Sequence, residues 1–281
     1  NKNAFRSRKS CLGKSSHRQM VIPCIDMKII LIGAGNLATR LAVALQKKGM
    51  TPAYIYSRTR ESAEQLSERL RDVPCSTDIS RVPTDGDLYI FAVKDSALLD
   101  LVSRMPANRG LWVHTAGSMD MEVFAPYTAR YGVFYPMQTF SKERETDFDD
   151  IPIFVEANHT NDTERLQELA GRLSTKVYEA TSEQRKYLHL AAVFACNFTN
   201  HLYALCDRIL SEHGLPFETM LPLIRETAAK VADMPPAQAQ TGPAIRYDKN
   251  VIDKQMALLS DPIMRQIYDL MSRSIHETNK H

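Results

Sequence analysis

A glycine-rich turn near the start of the sequence has the residue types and spacing that bind a dinucleotide. The turn occupies 33–38 (Gly-Ala-Gly-Asn-Leu-Ala) and directly follows an apolar run at 27–32. In such a turn the first glycine permits a sharp bend, the second lets the backbone approach a pyrophosphate, and a small third residue lets the next helix pack closely on the strand. Backbone N–H groups at the start of that helix then face the phosphates. A purely structural strand–turn–helix is the alternative; the residues predicted to bind the dinucleotide are Gly33, Gly35, Asn36 and Leu37.

The end of the second predicted strand, at 53–56, indicates which dinucleotide is preferred. A site for NAD usually carries Asp or Glu there, about 20 residues after the glycines, where the carboxylate binds the ribose hydroxyls. This sequence has Ser57, Arg58 and Thr59 instead. A guanidinium and two hydroxyls suit a 2′-phosphate, which a carboxylate would repel. These residues predict NADP as the cofactor, with an ordinary solvated loop as the alternative.

Two further predicted strands, at 88–93 and 111–114, end in residues suited to the rest of the dinucleotide. Open α/β sheets bind ligands outside the carboxyl ends of their strands, and small residues there let the nicotinamide ribose lie close to the backbone. Lys94 and Asp95, which follow the first of these strands, could equally be the start of a helix. We therefore add to the predicted cofactor site Ala92, Val93, Lys94 and Thr115, and to the predicted substrate site Ser118.

Together these residues resemble the pyrroline-5-carboxylate reductase and 6-phosphogluconate dehydrogenase-like superfamily. A closer resemblance is to a bacterial family assigned as NADP oxidoreductases, which pair a Rossmann-like domain with a helical domain of unknown function. Three segments carry it: 135–140 (Tyr-Pro-Met-Gln-Thr-Phe), 189–197 (His-Leu-Ala-Ala-Val-Phe-Ala-Cys-Asn) and 241–246 (Thr-Gly-Pro-Ala-Ile-Arg). The resemblance covers essentially all of 27–281. It implies a Rossmann domain followed by a helical, dimer-forming domain, hence a homodimer, and it leaves the substrate open.

His189 is the leading catalytic candidate. In similar dehydrogenases of hydroxy acids, the first long helix after the Rossmann domain carries a Lys and, four residues later, an Asn. His189 lies in a comparable place, but the residue four positions on is Val193. The departure puts the Lys/Asn mechanism in doubt. A histidine near neutral pKa can exchange a proton with a carbonyl or imine as hydride is transferred. Packing at a domain boundary is the alternative.

Four other polar residues are predicted near the substrate. Asn197, the second catalytic candidate, is about 12 Å farther along a regular helix than His189, where it could line the same cleft. An interhelical hydrogen bond is the alternative for it. Tyr135 and Gln138 are predicted to face the substrate, with simple packing as the alternative for Tyr135. Arg246 could meet a substrate carboxylate across a dimer interface, or be a solvated residue in a turn.

The strands and helices that the sequence predicts must position these residues. From Met27 to about residue 180, apolar runs alternate with amphipathic stretches, which is typical of βαβ units around a parallel sheet. A final βαβ-like unit, with strands at 151–155 and 176–178 around a helix at 163–173, is predicted to extend the sheet. After Thr181 the pattern predicts only helices, at 182–213, 216–232, 250–259 and 262–277. The predicted fold class is α/β, a Rossmann doubly wound, mostly parallel sheet followed by an all-helical C-terminal domain.

The predicted domains are a disordered extension, an NADP-binding Rossmann domain and a helical substrate or dimerisation domain, at 1–26, 27–180 and 181–281. The extension is basic and Ser-rich, with six Lys or Arg and one Asp. A tag, or a start assigned upstream of Met27, explains it most simply, and a transit peptide is the alternative. The body that remains is mildly acidic, which gives no reason to expect nucleic acid as a partner.

The composition, with 44% hydrophobic and 24% charged residues, is that of an ordinary soluble globular protein. No apolar run approaches the roughly 18 to 20 residues that span a bilayer, so no membrane partner is expected. Five scattered cysteines without metal-ligand spacing suit reduced thiols in a cytoplasm and predict no metal site. We expect a cytoplasmic protein whose partner is a small-molecule substrate.

The function predicted from these residues is an NADP-dependent oxidoreductase that transfers a hydride between nicotinamide and a small carbonyl, imine or alcohol. A non-catalytic NADP-binding regulatory or interaction protein is the alternative, favoured by the missing Lys/Asn pair. A third hypothesis is an enzyme that uses a deazaflavin as its redox partner, as a related family does.

Overall fold

The structure, a computed structural model, describes residues 27–279, so the predicted extension at 1–26 lies outside the described residues. The chain divides into two compact units, one ending at His189 and the other beginning at Leu190. The sequence predicts a boundary slightly earlier, after residue 180, because the helix that begins at Ser182 opens the helical pattern. The first turns of that helix contact the sheet-containing unit, which is why the division falls after His189.

One eight-stranded sheet forms the centre of the first unit. Its strands are β1 (Ile29–Ile32), β2 (Tyr54–Tyr56), β3 (Cys75–Ser76), β4 (Leu88–Phe91), β5 (Leu111–His114), β6 (Tyr131–Pro136), β7 (Ile153–Ala157) and β8 (Val177–Glu179). Their order is β3-β2-β1-β4-β5-β6-β7-β8. The first six strands all pair in parallel, which confirms the predicted doubly wound α/β fold. The strand order reverses between β1 and β4, where such sheets bind ligands.

Apolar residues on both faces of the strands explain this architecture. β1 is buried along its whole length, with Ile29 and Leu31 in one hydrophobic core and Ile30 and Ile32 in a second. Successive side chains of a strand point to opposite faces, so both faces must be covered by helices. The covering helices are α1 (Asn36–Lys47), α2 (Arg60–Arg69), α3 (Asp95–Arg104) and α4 (Thr160–Leu173). Of these, α1, α2 and α4 contribute to the first core and α3 to the second.

The last two strands run against the other six. β7 pairs antiparallel with β6, with Pro136 opposite Ile153, and β8 pairs in parallel with β7. A parallel connection needs a long crossover, usually a helix. Residues 137–152 contain no helix, so the chain turns back along β6 instead. The predicted βαβ-like unit at 151–178 therefore extends the sheet, in the reversed direction.

The second unit is helical. The helix α5 (Ser182–Ala192) crosses the boundary and is followed by a π-helical segment (Val193–Phe198). Next come α6 (Thr199–Glu212), α7 (Leu221–Asp233), α8 (Pro236–Ala239), α9 (Lys249–Ala257) and α10 (Pro262–Thr278). The predicted helix at 182–213 is thus interrupted by wider turns. Over 27–279, no helix has the length and apolar character needed to cross a membrane.

His114, the last residue of β5, is a fully buried histidine. Its Nδ1 accepts a hydrogen bond from the backbone N–H of Ala116 at 3.2 Å, and its Nε2 lies 3.3 Å from the carbonyl oxygen of Asp120. An accepting Nδ1 assigns the ring proton to Nε2, which can donate to that carbonyl. Burial first, and the positive charge of Arg185 second, lower the pKa of His114 from 6.5 to about 4.

We predict that His114 makes stability depend on pH between about 6.5 and about 4. In this window the unfolded histidine binds a proton that the folded one does not, so the free energy of unfolding falls as the pH is lowered, by up to about 3 kcal/mol. Urea unfolding at several pH values measures this, and His114→Gln should flatten the dependence. His159→Gln, at an exposed histidine, is the control. An equally steep loss in the His114 variant would contradict the prediction.

Candidate functional site

The turn after β1 has a backbone conformation that requires its first glycine. Gly33 has φ of +122°, and its N–H donates to the carbonyl of Tyr56 at 2.7 Å. A Cβ on Gly33 would lie 2.3 Å from the carbonyl oxygen of Ala92. Both the positive φ and this close approach exclude side chains. The turn therefore brings the ends of β1, β2 and β4 together.

The second glycine of the turn leaves space open to a ligand. Gly35 precedes the first turn of α1 as its N-cap, and a Cβ on it would meet nothing within 4 Å. No side chain caps the N-terminus of α1. The first backbone N–H groups of the helix thus keep hydrogen-bonding capacity, which together with the helix dipole suits a phosphate.

A cavity of about 500 Å³ lies over these strand ends. This volume is in the range of small-molecule and cofactor sites, roughly 300 to 1,000 Å³. The cavity brings together most of the residues predicted to bind a dinucleotide, namely Gly33, Gly35, Ser57, Arg58, Thr59, Ala92, Val93 and Lys94. Backbone donors, hydroxyls and cations in one cleft form a donor set that fits a phosphorylated dinucleotide.

The other three predicted cofactor residues have different surroundings. Asn36 donates from its side-chain amide to the carbonyl of Phe140 at 3.1 Å. Leu37 packs against the first hydrophobic core. The hydroxyl of the buried Thr115 lies 3.5 Å from the carbonyl of Phe91. None of the three lines the cavity.

Several residues that line the cavity are absent from the prediction. They are Ala34, Tyr56, Ser62, Ser96, Ala97, Asp100, Leu101, Arg104 and Lys142. Six of the nine belong to α2 and α3, and helical spacing after Thr59 and Lys94 could have identified these. Lys142 lies in the loop after β6, far along the chain, and carries no such signal.

Tyr135 and His189 form a hydrogen-bonded pair elsewhere in the first unit. The Tyr135 hydroxyl lies 3.1 Å from Nδ1 of His189. A Cβ on Gly117 would lie 2.5 Å from that same nitrogen, so the histidine ring packs directly on this glycine. Burial raises the pKa of Tyr135, which therefore stays protonated at neutral pH. The structure thus brings together one predicted catalytic and one predicted substrate residue.

A buried cation fixes the helix that carries His189. Arg185, one turn earlier in α5, is fully buried and forms an ion pair with Glu156 of β7 at 2.8 Å. Its Nε also donates to the carbonyl of Ala116 at 3.2 Å, and another nitrogen donates to the carbonyl of Met119. A buried charge must be paired and hydrogen-bonded. Arg185 therefore ties α5 to the loop after β5, a role that the sequence prediction missed.

The remaining predicted site residues are more exposed. The hydroxyl of Ser118 donates to the carboxylate of Asp95 at the start of α3. The side-chain oxygen of Gln138 accepts from the N–H of Thr139 at 2.8 Å. Asn197, in the π-helical segment, and Arg246 are exposed residues of the second unit. Among residues 27–279, no group of His, Cys, Asp and Glu could hold a metal ion.

Comparison with known families finds two successive matches, the second of which begins inside the first unit. Residues 15–137 match the Rossmann-like domain family, and residues 151–275 match a domain of unknown function, DUF2520. A curated protein, the glutamyl-tRNA reductase of Synechococcus sp. (strain CC9605), is 29% identical over 103 residues. That match covers 35% of this chain and only 24% of the reductase.

Solved structures resemble the chain along nearly its whole length. A crystal structure from Bacteroides fragilis, described as a putative NADP oxidoreductase, is 53% identical with a TM-score of 0.84, and covers 90% of this chain and 98% of that one. A reductive aminase from Aspergillus terreus, in complex with NADPH and ethyl-5-oxohexanoate, is 16% identical with a TM-score of 0.68, and covers 90% and 95%.

A pyrroline-5-carboxylate reductase from Coxiella burnetii is 15% identical with a TM-score of 0.56, and covers 90% of this chain and 97% of that one. At such identities the aminase and this reductase share the fold alone. The Bacteroides protein shares both the fold and half of its residues. The chain therefore belongs to that protein's family, described as putative NADP oxidoreductases, and in this chain the Rossmann-like match is followed by a DUF2520 match.

Proposed function

We propose that this chain binds NADP(H) in the first unit and transfers a hydride between the nicotinamide and a small carbonyl, imine or alcohol. The observation that carries the proposal is the cavity that joins the open start of α1 to the end of β2. The relative from Bacteroides fragilis, described as a putative NADP oxidoreductase, supports the choice of cofactor.

The residues after β2 account for a preference for NADP over NAD. Ser57 is buried at the strand end, while Arg58 and Thr59 are exposed at the rim of the cavity. The guanidinium of Arg58 has no hydrogen-bond or ion-pair partner among residues 27–279 and remains available to a phosphate. Asp100, an acidic residue that lines the cavity, is already paired with Arg104 at 3.1 Å. A 2′-phosphate therefore meets a free cation and no free carboxylate at the end of β2.

We predict a saturable fluorescence change on titration with NADPH, and binding of NADPH at least about tenfold tighter than of NADH, as one charge-assisted hydrogen bond can provide. Gly35→Ala should fold normally, because its Cβ enters open space, yet weaken NADPH binding by filling the approach of the pyrophosphate. Gly171→Ala, also into open space but in α4, is the matched control.

Two results would contradict this prediction. A folded protein that gives no saturable signal with NADPH does not use this cavity for a dinucleotide. Equal or tighter binding of NADH removes the role assigned to Arg58.

The proton of the reaction is assigned to His189. When bound, the reduced nicotinamide supplies a hydride to the carbon of a C=O or C=N bond, whose oxygen or nitrogen must gain a proton. In its protonated form His189 carries a proton on each ring nitrogen. The Nδ1 proton is donated to the Tyr135 hydroxyl oxygen at 3.1 Å, and the Nε2 proton is transferred to the substrate, which leaves a neutral histidine. Tyr135 acts here as a positioning residue, because its hydroxyl oxygen accepts the hydrogen bond from Nδ1 and its own proton is not transferred.

We predict that His189→Ala lowers turnover of NADPH by at least about 100-fold, the usual effect of removing a general acid, and leaves the affinity for NADPH unchanged. Tyr135→Phe should lower kcat by about tenfold through loss of one hydrogen bond, with a smaller change in KM. NADPH consumption with a panel of small carbonyls and imines measures both. His159→Ala, at an exposed histidine of the same unit, is the control.

Unchanged turnover in His189→Ala would remove this catalytic role. Tight NADPH binding by the parent protein, with no consumption across the panel, would favour the non-catalytic regulatory protein instead.

The second unit is proposed to form a homodimer. Among its described residues, 190–279, only Ile252, Met264 and Ser272 are buried. Large apolar side chains recur every four residues from Leu190 to Leu202, and the first three of the four are more than half exposed. Helices with so little core of their own resemble half of an obligate interface. A second copy presents the same apolar surface, as two-fold symmetry requires.

We predict that sedimentation equilibrium gives twice the mass of one chain, and that Phe194→Glu shifts it to one chain by placing a charge in the apolar surface. Leu99→Glu, at a leucine of α3 that is 57% exposed, should leave the mass unchanged. A parent protein that sediments as a single chain at micromolar concentration would overturn the homodimer.

A further inference from the structure

Three backbone carbonyls of the loop after β6, at 140–142, are held by side chains from the helices α1 and α2. Asn36 donates to the first of them at 3.1 Å. Arg40 donates through Nε to the second at 2.8 Å and through Nη2 to the third at 2.5 Å. Arg69 also donates to the third, the carbonyl of Lys142, at 3.1 Å. Four hydrogen bonds thus fix this short segment against the glycine turn and α2.

The residues around these bonds are well packed. Arg40 is buried, with only 5% of its surface exposed, so its guanidinium is committed to the loop. The ring of Phe140 stacks on that of Phe148, with 5.6 Å between centroids, and packs against the first core. Unpaired carbonyls would have to be solvated, whereas one of these is bound by an amide and the other two by guanidinium groups. The backbone at Lys142 is therefore positioned by the folded first unit.

Lys142 lies at the β2 end of the dinucleotide cavity. It lines that cavity and also a neighbouring one of about 460 Å³. Ser62, in the first turn of α2 just after the Ser57–Thr59 segment, lines both cavities too. Because Lys142 and Ser62 line the same two cavities, Lys142 lies beside the strand end at which a Rossmann domain distinguishes NADP from NAD.

The ammonium of Lys142 is available to a ligand. Within the part of the chain that the structure describes, it has no hydrogen-bond or ion-pair partner, and its residue is half-buried. The other cations that line this cavity differ from it: Arg104 is paired with Asp100, and Lys94 follows β4 instead of β2. Arg58 and Lys142 are the two uncommitted cations at the β2 end.

We infer that Lys142 is a second cation for the 2′-phosphate, presented from the loop after β6 to the cavity that Arg58 also lines, and that it contributes to the preference for NADP. The inference deepens the proposed function and rests on it. A phosphate monoester carries nearly two negative charges near pH 7 and is better matched by two cations than by one. The clamp of Asn36, Arg40 and Arg69 explains why a residue so distant in sequence can serve this site.

Two ligands without nicotinamide provide the test. Isothermal titration with adenosine 2′,5′-bisphosphate and with adenosine 5′-monophosphate isolates the effect of the 2′-phosphate on the full chain. Lys142→Met should weaken binding of the bisphosphate by about tenfold and leave the monophosphate unchanged, because only one of them carries the recognised charge. Lys142→Arg should restore most of the affinity. Arg144→Met removes one charge from the same loop, outside both cavities, and should change neither affinity.

The outcomes separate this inference from the proposed function. If the parent protein does not bind the bisphosphate more tightly than the monophosphate, both the NADP preference and the role of Lys142 fail. If the parent does so and Arg58→Met abolishes the difference while Lys142→Met leaves it unchanged, the inference fails alone. A loss of both affinities in Lys142→Met, with unchanged circular dichroism, would assign Lys142 to the rest of the nucleotide and also overturn it.

Discussion

The close approach of backbone at Gly33 is the constraint on which the dinucleotide cavity depends. With φ of +122° the chain turns sharply at the end of β1, and a Cβ there would lie 2.3 Å from the carbonyl oxygen of Ala92. Because the turn is that tight, α1 begins directly over the ends of three neighbouring strands. The loops after β1, β2 and β4 then open into one cavity. Arg58 and Lys94, distant in sequence, share a site for this reason.

Much of the first unit follows from local patterns in the sequence, and the exceptions have physical causes. Continuous apolar runs and the glycine turn predict a parallel sheet with a ligand at its carboxyl edge. The direction of β7 was not predicted. A parallel β7 would need a crossover helix after β6, and residues 137–152 form no helix, so β7 runs antiparallel. The hydrogen bond of Asn36 could not be predicted for a similar reason: its amide binds a carbonyl contributed by a distant loop. Long-range polar contacts leave no periodic signal.

Arg185 illustrates a second kind of residue that sequence patterns conceal. A lysine or arginine in an amphipathic helix is usually interpreted as part of its solvated face. Here the guanidinium is fully buried and binds a carboxylate and two carbonyls. Such a pair adds little net stability, because desolvation offsets the Coulomb attraction, but the loss of one partner is costly. Its effect is to determine where α5 lies on the loop after β5, and with it the position of His189 against Gly117.

The hydrogen-bonded pair of Tyr135 and His189 bears on the absence of the Lys and Asn that similar dehydrogenases carry. Both residues belong to the first unit, one on β6 and the other on α5. The cofactor cavity belongs to the first unit as well. The proposed function therefore draws both its hydride site and its proton donor from the first unit, and its proton donor is a histidine instead of a lysine. The second unit then retains only Asn197 and Arg246 among the candidates, both exposed. Neither the cofactor cavity nor the proposed proton donor, His189, is built from residues of the helical unit.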